Sequence, residues 1–139
     1  MTDLISIREF LKLAPNKLKW LVDRGFSRNT GMERVSSTVA TLVYCGENVA
    51  FEFSLDVRDQ CIDTEVIRVQ GGQLLRNWEG GYSSEVYNHL VKVEGYRGSP
   101  TGNLVNSPKL TKLDWAIDGW ISLIETAGSS LLADRAGVV

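Results

Sequence analysis

Alternation between apolar and polar side chains across residues 49–58 restricts the fold more than any other feature of this sequence. Every second residue is a large apolar one (Val49, Phe51, Phe53, Leu55 and Val57), and the residues between them are mainly small or polar: Ala50, Glu52, Ser54, Asp56 and Arg58. Because successive side chains of a β-strand point to opposite faces, this pattern predicts a half-buried strand with one apolar and one mainly polar face.

Further strands are predicted on both sides of this one. Residues 37–45 are rich in β-branched side chains, and residues 46–48 are typical of a turn. Residues 61–69 predict a third strand, and Gly71-Gly72 predicts a tight turn into a short fourth strand at residues 73–76. The chain is therefore expected to form an antiparallel meander of three to four strands.

A two-residue turn at Asp59-Gln60 fixes the predicted register of the central hairpin. With that turn, Asp56 lies opposite Asp63 and Ser54 lies opposite Glu65 on the polar face. A slip of one residue would turn the apolar side chains to the wrong face, so the hydrophobic pattern favours this register.

Helices are predicted before and after the strands. Ser6 and Glu9 match a capping box at the start of a helical pattern, within which Pro15 predicts a kink or two short helices. Residues 27–34 are mostly polar and predict a loop. A later helix is expected from Ser83 or Ser84 to about Glu94, and a longer one starts at Ser107-Pro108.

These elements predict one α+β domain spanning residues 1–139, in the order α-β-β-β-(β)-α-α, with an antiparallel sheet packed against helices. A chain of 139 residues with 43% hydrophobic and 23% charged residues is typical of a globular domain. Its apolar runs are far shorter than the roughly 20 residues of a membrane helix. Residues 1–6 lack a secretory signal, and Cys45 and Cys61 fall in strand-like runs where free thiols are expected, so a cytoplasmic location is predicted.

Acidic residues are concentrated in the predicted hairpin, although the net charge is only −2. Residues 47–65 carry six acidic residues against one basic residue, Arg58. Three interpretations are open: a solvated face neutralised by Arg58 or Arg68, a surface that binds a basic macromolecule, or a Mg²⁺ or Ca²⁺ site. The candidate partner-binding residues on this face are Glu52, Asp56, Asp59, Asp63 and Glu65.

An aromatic loop at residues 77–83 is the second candidate binding element. Trp78, Glu79 and Tyr82 lie beside Gly80-Gly81. Trp and Tyr are favoured as anchors of protein interfaces, and loops often carry function. The alternative is that Trp78 folds back over the core.

The sequence carries no motif for catalysis, metal binding or phosphate binding. His89 is the single histidine and falls within a predicted helix, and two cysteines with one histidine do not supply the spacing of a zinc site. The slightly acidic chain also lacks a concentrated basic patch, so nucleic-acid binding is not indicated. We predict a protein that is not an enzyme, with no cofactor and no metal.

Residues 51–66, followed by the Asn77–Ser84 segment, resemble small bacterial immunity proteins of polymorphic toxin systems. The resemblance covers roughly residues 38–98 and lies in size, strand-hairpin pattern and acidic face. It implies a single-domain cytoplasmic protein, often encoded beside a contact-dependent or type VI secreted toxin, that covers its toxin with a rigid surface. Many such toxins are basic nucleases, which an acidic sheet face would complement.

The preferred hypothesis is therefore an inhibitory protein that neutralises a toxin by occlusion. One alternative is a small enzyme with a cleft beneath residues 77–82 and 96–107. Another is a homodimeric adaptor or structural subunit, which exposed Trp115 or Trp120 in a self-complementary patch would favour.

Overall fold

A seven-stranded antiparallel sheet packed against helices forms the described part of the chain, which comprises residues 5–75, 83–92, 95, 97, 113–134 and 139 of a computed structural model. The helices are α1 (Ile7–Val22), α2 (Val86–Lys92), α3 (Leu113–Ala127) and α4 (Ser129–Leu132). The strands are β1 (Ser27–Arg28), β2 (Arg34–Val35), β3 (Val39–Cys45), β4 (Val49–Asp56), β5 (Cys61–Gln70), β6 (Gln73–Leu75) and β7 (Ser83–Glu85).

Helix α1 begins at the predicted capping box. The Ser6 hydroxyl accepts the Glu9 N–H at 3.1 Å, and the Glu9 carboxylate accepts the Ser6 N–H at 3.3 Å. The helix then continues through Pro15, so the alternative of two short helices is wrong. Its buried residues keep helical spacing on both sides of the proline, and their packing offsets the lost backbone hydrogen bond. These residues are Phe10, Ala14, Leu18 and Leu21.

The predicted meander is confirmed in strands β3 to β6, which are neighbours in sequence order. The sheet is larger than predicted, because β1 and β2 pair with β3, and β7 pairs with β5. The prediction of a loop at residues 27–34 is wrong for this reason. These added strands are two or three residues long, and such short segments carry no alternation that a sequence pattern could reveal.

Short strands pair with parts of the two outer edges of the three long strands. The outer edge of β3 passes from β1 to β2 around a 3-10 turn at Thr30–Met32, which leaves the Val43 N–H without a strand partner. The Glu33 carboxylate accepts that N–H at 3.2 Å and also accepts two hydrogen bonds from the Arg28 guanidinium at 2.9 Å. One ion pair therefore closes the gap between two strands of the sheet edge.

The predicted register of the β4–β5 hairpin is wrong by two residues. Asp56 faces Cys61, Ser54 faces Asp63 and Glu52 faces Glu65. The turn spans residues 57–60 instead of 59–60, because β4 ends at Asp56 and β5 begins at Cys61. A shift of two residues preserves the alternation, so the assignment of side chains to the two faces still holds.

The apolar face of the sheet forms the main core together with α1 and α3. Its strand residues are almost fully buried, and the Phe26 and Phe51 rings meet edge to face with centroids 5.4 Å apart. The Trp120 indole N–H donates to the Ile62 carbonyl at 2.9 Å and thereby fixes α3 on β5. Trp120 is 3% exposed, so it is not available for the dimer patch that was proposed for Trp115 or Trp120, and the side chain of Trp115 lies outside the description.

The later helices agree in part with the predicted boundaries. Residues 83–85 are a strand instead of the start of a helix, and α2 begins at Val86. The predicted start of the last helix at Ser107-Pro108 lies outside the described residues. No helix in the described part of the chain is long and apolar enough to cross a membrane.

Candidate partner-binding surface

The β4–β5 hairpin places four of the five predicted carboxylates at the surface of the sheet. Asp59 lies in the turn, Asp63 and Glu65 follow on alternate positions of β5, and all three are exposed. Asp56 ends β4 and is half-buried. The tip of the hairpin therefore carries Asp56, Asp59 and Asp63 close together, and we call these three residues the acidic tip.

Glu52 does not share this exposure, and its prediction as an open-face residue is wrong. Its side chain is 6% exposed, because it lies in the middle of the sheet between Val43 of β3 and Glu65 of β5. The alternation pattern placed Glu52 on the correct face. Alternation does not reveal how deeply a side chain is buried when its strand lies at the centre of a larger sheet.

Asp56 has a structural role in the turn as well as a place in the acidic tip. One oxygen of its carboxylate accepts the Arg58 N–H at 2.9 Å and the Asp59 N–H at 3.2 Å. An aspartate that binds the backbone two and three residues ahead is a common way to begin a turn. This contact explains why the turn starts directly after Asp56 and not at Asp59.

The three carboxylates of the acidic tip act together on one thiol. The Cys61 Sγ lies 3.9 Å from the Asp63 carboxylate. Partial burial is the largest cause that raises the pKa of Cys61 to about 11, and the negative charges of Asp63, Asp56 and Asp59 supply part of the same increase. All three carboxylates thus lie close enough to the Cys61 thiol for their combined negative potential to affect its pKa.

Asp63 itself experiences that potential. Partial desolvation against the neighbouring strands is the main cause that raises the pKa of its carboxyl group, and repulsion from Asp56 and Asp59 acts in the same direction. A weak hydrogen bond from Cys61 opposes these effects. The ionised form of Asp63 is therefore less favourable in the folded protein than in the unfolded chain.

No cation forms an ion pair with the acidic tip within the described residues. The described residues form three ion pairs, Lys17–Asp118, Arg24–Glu125 and Arg28–Glu33, and none of them involves the acidic tip. Arg58 is exposed in the turn and forms none of these pairs. The acidic tip is consequently a cluster of negative charge without an ion-pair partner in this part of the structure.

A cavity of about 400 Å³ lies beside Glu52 on the same face of the sheet. The Thr41 and Ser54 hydroxyls meet across its floor at 3.1 Å, and the 59% exposed Val35 stands at its rim. The cavity was not predicted, because it lies where β2 pairs with β3 and no local pattern indicated β2. The residues that line the cavity are Arg34, Val35, Ser36, Val39, Thr41, Glu52 and Ser54.

Other predicted site elements have different outcomes. Trp78, Glu79 and Tyr82 lie outside the described residues, as does the cleft proposed under residues 77–82 and 96–107. His89 is buried at 3% exposure within α2, in keeping with a core-edge position. Cys45 and Cys61 are free thiols. Among the described residues, no group of three or more His, Cys, Asp or Glu side chains is arranged to hold a metal ion.

Comparisons with known proteins assign no family to this chain. No protein-family model matches it, no curated protein is significantly similar to it, and no solved structure shares its fold at a significant level. The argument for function therefore depends on the surface itself.

Proposed function

We propose that this protein is a non-enzymatic binding protein whose acidic tip docks onto a basic protein partner. The observation that carries the proposal is the convergence of Asp56, Asp59 and Asp63 on one exposed hairpin end without a neutralising cation in the described residues. Like charges placed together are destabilising, so a surface selected for stability alone would not favour them.

The physical chemistry of such a surface suits association with a cation. A cluster of one sign of charge steers an oppositely charged partner and increases the association rate constant, most strongly at low ionic strength. The acidic tip is held on a rigid scaffold, because every residue of β4 is paired with β5. A rigid surface loses little conformational entropy on binding.

The resemblance to small bacterial immunity proteins refines this proposal. Such a protein would occlude a secreted antibacterial toxin in the cytoplasm, and a basic nuclease would be a complementary partner. Glu65 extends the charged surface beyond the acidic tip along β5, and Trp78, Glu79 and Tyr82 remain candidate contacts. A standard interface of about 800 Å² per partner is within reach of a hairpin and one adjoining loop.

The test begins with the gene immediately upstream, which is expected to encode a secreted protein with a C-terminal toxin domain. Co-expression of this protein with that domain should restore growth, and the two should co-purify as a stoichiometric complex. An upstream gene of another kind, or a toxin domain that remains lethal and unbound, would overturn the immunity assignment.

Charge reversal then tests the acidic tip itself. The Asp59→Lys/Asp63→Lys variant should associate with the toxin domain at least about tenfold more slowly at low salt. The matched control is Asp23→Lys/Asp118→Lys, which changes the net charge equally on exposed residues of α1's end and α3. Equal association rates for the two variants would remove the acidic tip from the interface even if the complex exists.

A further inference from the structure

The β3–β4 turn binds a carboxylate that comes from the distant end of the chain. The Asn48 and Val49 N–H groups each donate to Asp134 Oδ1 at 2.8 Å, and the Glu47 N–H donates to Asp134 Oδ2 at 2.5 Å. Three consecutive backbone N–H groups thus converge on one carboxylate. Such a concave arrangement of amides is a general anion-binding structure, called a nest.

The surroundings of this nest are shaped to admit the carboxylate. A Cβ atom on Gly46 would lie 2.5 Å from Asp134 Oδ2 and 2.6 Å from its Cγ, so a larger residue at position 46 would collide with the occupant. The Asn48 side-chain amide donates to the Asp134 carbonyl at 2.9 Å and holds its backbone in place. Gly46 therefore leaves room for Asp134, and Asn48 holds the Asp134 backbone by a hydrogen bond.

Asp134 is also placed for this contact by its own backbone. It follows α4 with a φ of 56°, and its N–H donates to the Leu131 carbonyl at 3.1 Å. Asp is among the few residues that adopt this left-handed conformation with little strain. The turn lies at the surface, since Glu47 is exposed and Asp134 is half-buried, so an external molecule can reach it.

We propose that residues 46–49 form an oxyanion-binding site that Asp134 occupies in cis, and that an external carboxylate or phosphate competes with Asp134 for it. A group tethered in the same chain has an effective concentration of millimolar or more, so it shields the site from weak external anions. Displacement of Asp134 would release the end of α4 from the β3–β4 turn. This inference does not depend on the proposed function.

The experiment uses the full-length ¹⁵N-labelled chain with Asp134→Gly, because glycine tolerates the positive φ while it removes the carboxylate. Inorganic phosphate and acetate are titrated separately, with chloride at matched ionic strength as the control. The amide signals of Glu47, Asn48 and Val49 should shift saturably in the variant, with an affinity at least about tenfold higher than in the wild type. A response to phosphate, to acetate or to both identifies the anion class.

Two outcomes would overturn the proposal. The first is that the three amides fail to respond in Asp134→Gly, and the second is that they respond equally in the wild type or to chloride. Should Asp134→Gly fail to fold, the titration of Asp134→Asn decides, because an amide oxygen is a weaker acceptor than a carboxylate and should yield to phosphate. Absence of a response in that variant would reject the oxyanion site.

Discussion

Gln60 and Ile5 form a reciprocal pair of hydrogen bonds that joins the hairpin turn to the segment before α1. The Ile5 N–H donates to Gln60 Oε1 at 2.8 Å, and Gln60 Nε2 donates to the Ile5 carbonyl at 3.0 Å and to the Val57 carbonyl at 2.8 Å. The Gln60 side chain is buried, at 4% exposure, and its backbone has a φ of 50° in the left-handed region.

Replacement of Gln60 by Ala should destabilise the protein by about 2–4 kcal/mol, because it leaves the buried N–H and carbonyl of Ile5 without their partner. The measurement is the free energy of unfolding from urea denaturation. Arg58→Ala, an exposed change in the same turn, is the control and should lie within about 0.5 kcal/mol of the wild type. Equal effects of the two substitutions would contradict the role assigned to Gln60.

Gly46 and Asp134 should be energetically coupled. Gly46→Ala is expected to cost about 1–3 kcal/mol in the wild type, since the added methyl group displaces the Asp134 carboxylate. In an Asp134→Gly background the same substitution should cost much less, because the colliding group is gone. A double-mutant cycle in urea measures the difference, and additive effects would show that the collision is relieved in some other way.

The raised pKa of Asp63 predicts a particular pH dependence of stability. Because the folded-state pKa lies above the ordinary value of 3.8, the folded protein binds this proton more tightly than the unfolded chain. The contribution of Asp63 to stability therefore falls as pH rises from about 3.8 through the folded-state pKa, and remains unfavourable at neutral pH.

Asp63→Asn should consequently be more stable than the wild type at pH 7, and this advantage should shrink as pH falls toward 4. Urea denaturation at several pH values measures it. Asp118→Asn is the control: it removes the partner of Lys17, so it should be neutral or slightly destabilising at pH 7. A loss of stability in Asp63→Asn at pH 7 would show that the carboxylate is stabilising.

Cys61 offers a direct probe of the acidic tip. With a pKa of about 11, only about one thiol in a thousand is ionised at pH 8, so alkylation by iodoacetamide should be slow at pH 8. The alkylation rate should increase as the pH rises toward about 11. In a Cys45→Ser background, Asp59→Asn/Asp63→Asn should lower the pKa and speed the reaction at pH 8. Burial, the main cause of the shift, should keep the pKa above the ordinary 9.0. Mass spectrometry measures the alkylation rate of Cys61. If Asp59→Asn/Asp63→Asn left the pH dependence of that rate unchanged, the two carboxylates would lie too far from the Cys61 thiol to affect its pKa.

Periodic features of the sequence predicted the central fold well. The alternation at residues 49–58 identified β4 and its apolar face, the two glycines at 71–72 identified the turn before β6, and Ser6 with Glu9 identified the start of α1. Each of these signals is local, and each specifies a backbone conformation by itself.

The remaining features depend on contacts between distant segments, which a local pattern does not encode. The four-residue hairpin turn depends on Asp56 binding the backbone ahead of it and on Gln60 reaching Ile5. The burial of Glu52 depends on its central place in the sheet, and strands β1 and β2 exist because they pair with β3. The acidic composition of the candidate site was therefore predictable, whereas its division into a buried glutamate and an exposed tip was not.

The short strands that flank β3 and β5 also affect how readily the sheet pairs with other chains. A long strand with a free edge recruits other chains through its main-chain hydrogen bonds, whatever their sequence. Here β1 and β2 occupy part of the outer edge of β3, and β6 and β7 occupy the outer edge of β5 from Glu65 to Gln70. Along these stretches, selectivity is thus left to side-chain charge and shape, and the same pairing reduces the length of strand that could take part in indiscriminate self-association at high concentration.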